Sequence, residues 1–282
     1  MNLRFVTLNE NTASRNDLIA EWGLSILIES EEGNILLDTG ATTSVCHNAQ
    51  VLGVDLKKID KIVLSHAHRD HTGGLRELLH LIKKKEIEVV AHPDIWQPKY
   101  GRHPEEGDRY SGVSFVREEL ENLGARFNIS REPVKLTPHI MTTGEVPMVT
   151  DFEQIDARLF VRTERGLEPD KLMDDLAIVI TTEDGLIVVS GCAHRGIVNT
   201  IYQAQKVTGV KKVKMVIGGT HLIRTSPERI KKTIAVFIEL GLEKIGVSHC
   251  TGMPAAVALS QAFGEKFFFN NAGTITKFPF ER

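Results

Sequence analysis

Residues 63–74 read VLSHAHRDHTGG, which places His66, His68, Asp70 and His71 directly after an apolar run. His66 and His68 are two apart, so in an extended segment they point the same way and can share one ion as neutral imidazoles. Asp70 and His71 lie just past the strand and point elsewhere, which suits a second ion beside the first. Gly73 and Gly74 let the chain turn tightly into the next helix without a side chain crowding the site. Nitrogen and carboxylate donors together suit zinc, manganese or iron, and the residue types do not choose among them. A polar loop capping a helix is the plain alternative, and the spacing of the imidazoles argues against it.

The remaining candidates also stand at the ends of apolar runs. Asp38 follows NILL, His194 follows LIVVSGCA, His221 follows MVIGGT and His249 follows KIGVS. If those ends converge on one rim, imidazoles from distant parts of the chain meet, a pattern core packing has no reason to produce. Cys192 sits two positions before His194 and can face the same rim. Cys192 and Cys250 otherwise read as small buried residues.

The elements needed to hold these groups are legible. LSILIES (24–30) and NILLDTG (34–40) flank a Glu-Glu-Gly turn and read as a hairpin. KIVLS (61–65) is a short buried strand that ends at the histidines. In 74–85, Leu75, Leu78, Leu79 and Ile82 recur with helical spacing, and EVVAHP (88–93) is the next strand. Regularity returns with strands 176–182 and 186–194, helix 197–207, strand 213–221, helix 227–240, strand 244–250 and a last helix from about 254. Between them, residues 97–145 are rich in Gly, Pro and charge, and are expected to be a variable insert or lid. Strands followed by helices in both halves suggest two packed sheets with helices outside.

Bulk properties narrow the function. A formal charge of −3 creates no basic field for nucleic acid or an anionic membrane, and the apolar runs are too short to span a bilayer. The expected partner is a small-molecule substrate, with Arg102, Arg109 and Tyr110 of the insert as candidate contacts for an anionic one. Self-association into a homo-oligomer is left open. The 3 cysteines form no disulfide framework, and the N-terminus has no secretory signal, so a cytoplasmic location is expected. No Walker or GxGxxG loop follows a strand, so no nucleotide cofactor is implied.

The stretch His66-Ala-His68-Arg-Asp70-His71, preceded by LLDTG and followed by Gly-Gly-Leu, resembles the metallo-β-lactamase superfamily. With the later strand-end histidines, the resemblance covers nearly the whole chain. It implies an α/β fold, a four-layer αββα sandwich, as one domain over 1–282. It also implies one or two metals where the sheets meet, and hydrolysis of an ester or phosphoester-type small molecule by a metal-activated hydroxide. EWGLSILIE, DDLAIVI, SGCAHRGIVNTI, GGTHL and SHCTG are similar to the subgroup around the archaeal dihydropterin synthase-like proteins, which adds pterin transfer as an option.

Carried over residue by residue, the resemblance gives His66 and His68 to a first metal, and Asp70, His71 and His249 to a second. Asp70 and His221 take catalytic roles, with His221 as an additional ligand or a substrate contact. Asp38 accepts a hydrogen bond that orients the ligand loop. The chain departs from the family where many relatives have a third histidine, at Asp174-Asp175-Leu176. It departs again where they have a bridging aspartate, at Gly191-Cys192-Ala193-His194. His194 is the expected ligand there, with Cys192 as runner-up and Asp175 as an orienting acceptor. The expected cofactors are two divalent ions, zinc first and manganese or iron as alternatives. A non-hydrolytic metal-binding or redox-associated protein of this fold is the competing reading.

Overall fold

The computed structural model describes residues 1–280. One sheet has seven strands: β1 (Leu3–Asn9), β2 (Ser25–Ser30), β3 (Gly33–Leu37), β4 (Lys61–Val63), β5 (Ile87–Ala91), β8 (Ala125–Ile129) and β17 (Ile275–Phe278), in the order β17-β1-β2-β3-β4-β5-β8. A six-stranded sheet uses β9 (Ile140–Thr142), β12 (Ala177–Thr182), β13 (Gly185–Ser190), β14 (Val213–Gly219), β15 (Lys244–Ser248) and β16 (Phe267–Phe269), in the order β16-β15-β14-β13-β12-β9. A small third sheet holds β6 (Lys99–His103), β7 (Gly107–Tyr110), β10 (Leu159–Thr163) and β11 (Gly166–Pro169). The helices are α1 (Ser44–Val51), α2 (Arg69–Thr72), α3 (Leu75–Ile82), α4 (Arg117–Asn122), α5 (Ile197–Thr208), α6 (Pro227–Glu239) and α7 (Met253–Phe263).

The two-residue period of the strands explains the layering. Ile26, Ile28, Ile35 and Leu37 face Ile178, Ile180, Ile187 and Val189 in the core between the two large sheets. The alternate residues Leu27 and Leu36 turn outward and pack with Val45, Leu75, Leu78 and Leu79 of α1 and α3. On the far side, Val179 and Val188 meet Ile197, Ile201, Phe237 and Leu259 of α5, α6 and α7. Four layers around three apolar seams result, the expected αββα sandwich. No described helix is long and apolar enough to cross a membrane.

The expected insert at 97–145 is corrected. Only β6 and β7 leave the sandwich; β7 pairs with β6, and β6 pairs with β10, which together with its partner β11 lies outside the expected bounds. In contrast, β8 continues the first sheet in parallel with β5, and β9 forms an edge of the second. A three-residue strand such as IMT is too short to show a period, and ARFNI buries only Ala125 and Phe127 fully.

Strand direction then sets the site. The chain runs antiparallel from β1 to β2 and from β2 to β3, so β1 and β3 end at the same rim, as does β4 beside β3. In the second sheet β13, β14 and β15 are parallel, and β12 starts where β13 ends. Open parallel sheets place their functional groups beyond the carboxyl ends of their strands, and both sheets do so here.

Candidate metal centre

Immediately after β4, Ser65 and His66 lie in extended chain. His68 remains extended (φ −65°, ψ 139°) before the single turn of α2 carries Asp70 and His71 back over the same rim. The imidazoles meet closely. His66 Nε2 is 3.0 Å from His68 Nδ1 and 3.2 Å from His194 Nε2, while His71 Nε2 is 3.3 Å from His249 Nε2. Asp70 Oδ2 lies 3.2 Å from His249 Nε2 and 3.9 Å from His71 Nε2. Two groups of donors emerge, one around His66, His68 and His194 and one around Asp70, His71 and His249.

Hydrogen-bond bookkeeping shows which nitrogens are bare. Asp38 accepts through both carboxylate oxygens, taking the Ser65 hydroxyl at Oδ2 (2.7 Å) and the Ser65 amide at Oδ1 (2.7 Å). Ser65 Oγ, 2.9 Å from His66 Nδ1, is then the acceptor, which leaves the proton of His66 on Nδ1 and its Nε2 lone pair free. His71 Nδ1 donates directly to Asp38 Oδ2 at 2.6 Å. Asn11 Oδ1 accepts from Gly23 N–H at 3.1 Å, which fixes that amide, and it takes the Nδ1 proton of His249 at 2.9 Å. The Nε2 atoms of His66, His71 and His249 thus all turn inward with their outer nitrogens spoken for.

Close approaches between bare nitrogens are repulsive unless a cation lies among them, and this donor set fits divalent metal ions. Burial and the neighbouring imidazoles push His66 and His194 well below the ordinary histidine range, so both are neutral ligand forms. For His71, burial acts downward, but Asp38 and Asp70 outweigh it and hold the ring up at about 9, so without a metal its Nε2 carries a proton, which a bound cation would replace. Asp70 is raised by burial, yet the surrounding histidines hold it ionised, well below the usual carboxylate range.

Cys192 occupies the position between the two groups. Its Sγ is 3.1 Å from His71 Nε2, and it lies within 4.8 Å of donors in both His66–His194 and His71–His249. Burial pushes its thiol well up, so a thiolate there needs a cation beside it. The sequence reading ranked it behind His194, and the fold brings both in. His221 follows β14 with a left-handed φ of 46°, and its ring centroid lies 4.0 Å from that of His194, the two rings tilted by 48°. Neither nitrogen of His221 has a partner among the described residues.

The acidic pair that replaces the usual third histidine grips backbone. Asp174 Oδ2 accepts the Ala67 N–H (2.8 Å), between His66 and His68, and its Oδ1 meets Lys99 Nζ at 3.0 Å. Asp175 Oδ2 accepts the Arg195 N–H at 2.9 Å, and burial pushes its carboxyl up to about 7. Each carboxylate grips the backbone beside a histidine, and the group Asp175 accepts from is the Arg195 amide rather than the ring N–H of a ligand. The role expected of Gly73 and Gly74 changes. Both have ordinary helical φ, and a Cβ on them would lie 2.1 Å from Ala41 O and 2.2 Å from Thr39 O, so they permit backbone contact with the 39–42 loop.

His92, just after β5, is buried but held by the Asp94 amide (3.0 Å) and Glu145 (2.9 Å). Arg102 and Arg109 pair with Asp108 and Glu106 in the small sheet, and Tyr110 donates to Val113 O. Glu10, Asn11, Ser65 and Lys99 were missed. Glu10 takes the His249 N–H at 2.6 Å, and the signal that could have found it was LRFVTLNEN, a strand whose polar end falls at the rim.

The sequence profile of the metallo-beta-lactamase superfamily matches residues 23–201. The chain belongs to this superfamily. Within it, the chain is 38% identical to a Methanocaldococcus jannaschii protein named 7,8-dihydropterin-6-methyl-4-(beta-D-ribofuranosyl)-aminobenzene-5'-phosphate synthase, over 98% of this chain and 97% of that one. It is 30% identical to an uncharacterized protein of the same organism, over 95% and 97% of the two chains. The crystal structure of Tm1679, described as a metal-dependent hydrolase of the β-lactamase superfamily, superposes with a TM-score of 0.82 at 28% identity, covering 97% of this chain and 98% of that one.

Proposed function

We propose that the chain is a metal-dependent enzyme with a binuclear centre. His66, His68 and His194 hold one ion, Asp70, His71 and His249 hold the other, and Cys192 lies between them. The observation that carries this reading is the convergence of the bare Nε2 atoms of His66, His71 and His249, each fixed by an acceptor on its far nitrogen. Imidazole and thiolate donors favour zinc, with iron or manganese as alternatives. The buried, unpaired thiols Cys192 and Cys250 support a reducing cytoplasm.

Divalent ions so held supply Lewis acidity and lower the pKa of water to about 7. The chain supplies the rest. Asp38 orients His66 through Ser65 and His71 directly, so one carboxylate sets both halves. Asp70 brings negative charge to the second group, and His221 presents free nitrogens beside His194, where a proton or a substrate oxygen can be handled. The reaction is attack of water on an ester or phosphoester-type bond of a small molecule.

A second reading, transfer to or from a pterin, has its own support. Beside His249, a cavity of ≈ 230 Å³ is lined by Trp22, Met253 and Phe269, which are 54%, 67% and 46% exposed. These apolar faces suit a flat aromatic ring, and the relative's name specifies a dihydropterin product. Metal analysis of protein purified without added metal, followed by turnover of an ester and phosphoester panel and of a dihydropterin with an aminobenzene acceptor, separates the readings. Protein that retains metal and turns over none of these is a non-hydrolytic metal protein.

A further inference from the structure

Cys192 and Cys250 leave different strands. Cys192 follows β13 and Cys250 follows β15, with β14 between them in a parallel sheet. Neighbouring strands lie about 4.8 Å apart, so the backbones of β13 and β15 are roughly 10 Å apart across the sheet. The two sulfurs nevertheless lie within 4.8 Å of each other, in a group that His221 completes. They meet over Gly219, the last residue of β14, where an added Cβ would lie 2.8 Å from Cys250 Sγ and 3.2 Å from Cys192 Cα. Left-handed residues turn the chain beside each cysteine, Ala193 after the first (φ 57°) and His249 before the second (φ 51°). Cys250 donates its thiol to Cys192 O at 3.4 Å and accepts the His221 amide at 3.3 Å. Two buried cysteines can be mere packing, but these differ in what they touch. Cys192 stands among the donors of both metal groups, whereas Cys250 belongs to neither and has a second thiol as its neighbour.

We propose that Cys192 and Cys250 are a reversible peroxide-responsive pair whose disulfide withdraws Cys192 from the metal centre. One thiolate sulfur attacks the O–O bond of hydrogen peroxide, which gives a sulfenic acid and releases the other oxygen as water. The second sulfur then displaces that hydroxyl, which leaves as a second water as the disulfide forms. Two thiols lose two electrons and one peroxide gains them. A disulfide is about 2.05 Å long, so the sulfurs need to approach by less than about 3 Å. The way in for a small oxidant is short. His249 and Thr251, on either side of Cys250 in the chain, line the cavity of ≈ 230 Å³, and His221 lines another of ≈ 470 Å³. Closure draws Cys192 Sγ from its place 3.1 Å from His71 Nε2 and removes the thiolate. The effect on metal rests on the metal-centre reading, in which both ions lose the donor between them.

The test is exposure of the full-length protein to hydrogen peroxide, metal-loaded as purified and again after chelation, followed by alkylation in denaturant and peptide mapping. Alkylatable cysteines should fall from three to one, leaving Cys46, with a Cys192–Cys250 cross-link that a phosphine reductant reverses. Metal affinity should fall in step by more than about 100-fold, since a lost donor costs more than the 10–100-fold of a lost orienting partner. Cys250→Ser should hold metal like the wild type under reducing conditions. After peroxide its metal should not return with reductant, because Cys192 then lacks a resolving thiol and oxidises on to the sulfinic acid. Loss of metal from reduced Cys250→Ser would make Cys250 a ligand and overturn the pair, and a cross-link that leaves metal bound would overturn the withdrawal of Cys192. The two readings fail separately. A cross-link in a chain that never binds metal keeps the pair and overturns the centre, while a chain that binds metal and forms no cross-link, loaded or chelated, overturns the pair alone.

Discussion

At the scale of single residues, the site is a question of where protons sit. Asp38 accepts from Ser65 and from His71, and so fixes one imidazole in each donor group. Asp38→Asn should therefore weaken metal affinity by roughly 10–100-fold, the usual effect of removing a partner that orients a ligand, measured by competition with a chromophoric chelator. Asp70→Ala should lower bound metal from about two ions to about one; unchanged stoichiometry in elemental analysis would give Asp70 a structural role. His194→Ala should lose metal more severely than Asp175→Asn, because the His194 ring faces His66 whereas Asp175 grips the Arg195 amide. The histidines were legible in the sequence because their number and spacing have no packing explanation. Asn11 and Glu10 were not, because they meet His249 from 238 and 239 residues away and an isolated polar residue carries no period.

Elements determine how tightly those residues are held. The loop leaving β13 passes so close to the end of β4 that a Cβ on Gly191 would lie 2.1 Å from Ser65 Oγ and 2.7 Å from Asp38 Oδ2. Gly191→Ala should displace Ser65, release the His66 ring and cost about 1–3 kcal/mol from overpacking, seen together as a lower melting temperature and lower metal content. On β6, Lys99 is buried between Asp170 (2.9 Å) and Asp174 (3.0 Å). Lys99→Met would leave two carboxylates buried without their cation, and should destabilise the fold by about 3–5 kcal/mol in urea unfolding. Burial pushes the Lys99 ammonium down, but Asp174 and Asp170 outweigh it and hold it above the ordinary 10.5. The sign follows: its contribution is whole below pH 10.5 and is lost only as pH rises through the higher folded value. The strands around the motif were readable from their apolar runs. The small sheet was not, since β6 and β7 are polar and mostly exposed, and the pairing of β6 with β10 joins segments about sixty residues apart.

Taken whole, the molecule places one set of candidate ligands on each sheet. His66, His68, Asp70 and His71 come from the first, while Cys192, His194 and His249 come from the second. Ions bound there would clamp the sheets together, so chelation should lower the melting temperature. For metal at about a hundred times its dissociation constant the linkage is about 2.7 kcal/mol, or roughly 5 °C for a chain of this size. A melting curve indifferent to chelator would show that the apolar seam between the sheets suffices alone. The pairing of β17 with β1 adds a constraint of timing. Of the described strands the first pairs with the last, and the second set of candidate ligands is complete only when His249 has left the ribosome. The nascent first sheet must therefore wait with one edge bare and half its ligands exposed. Chains arrested before residue 249 should be sensitive to protease and bind metal weakly, and both properties should change together once the final strand is free to dock.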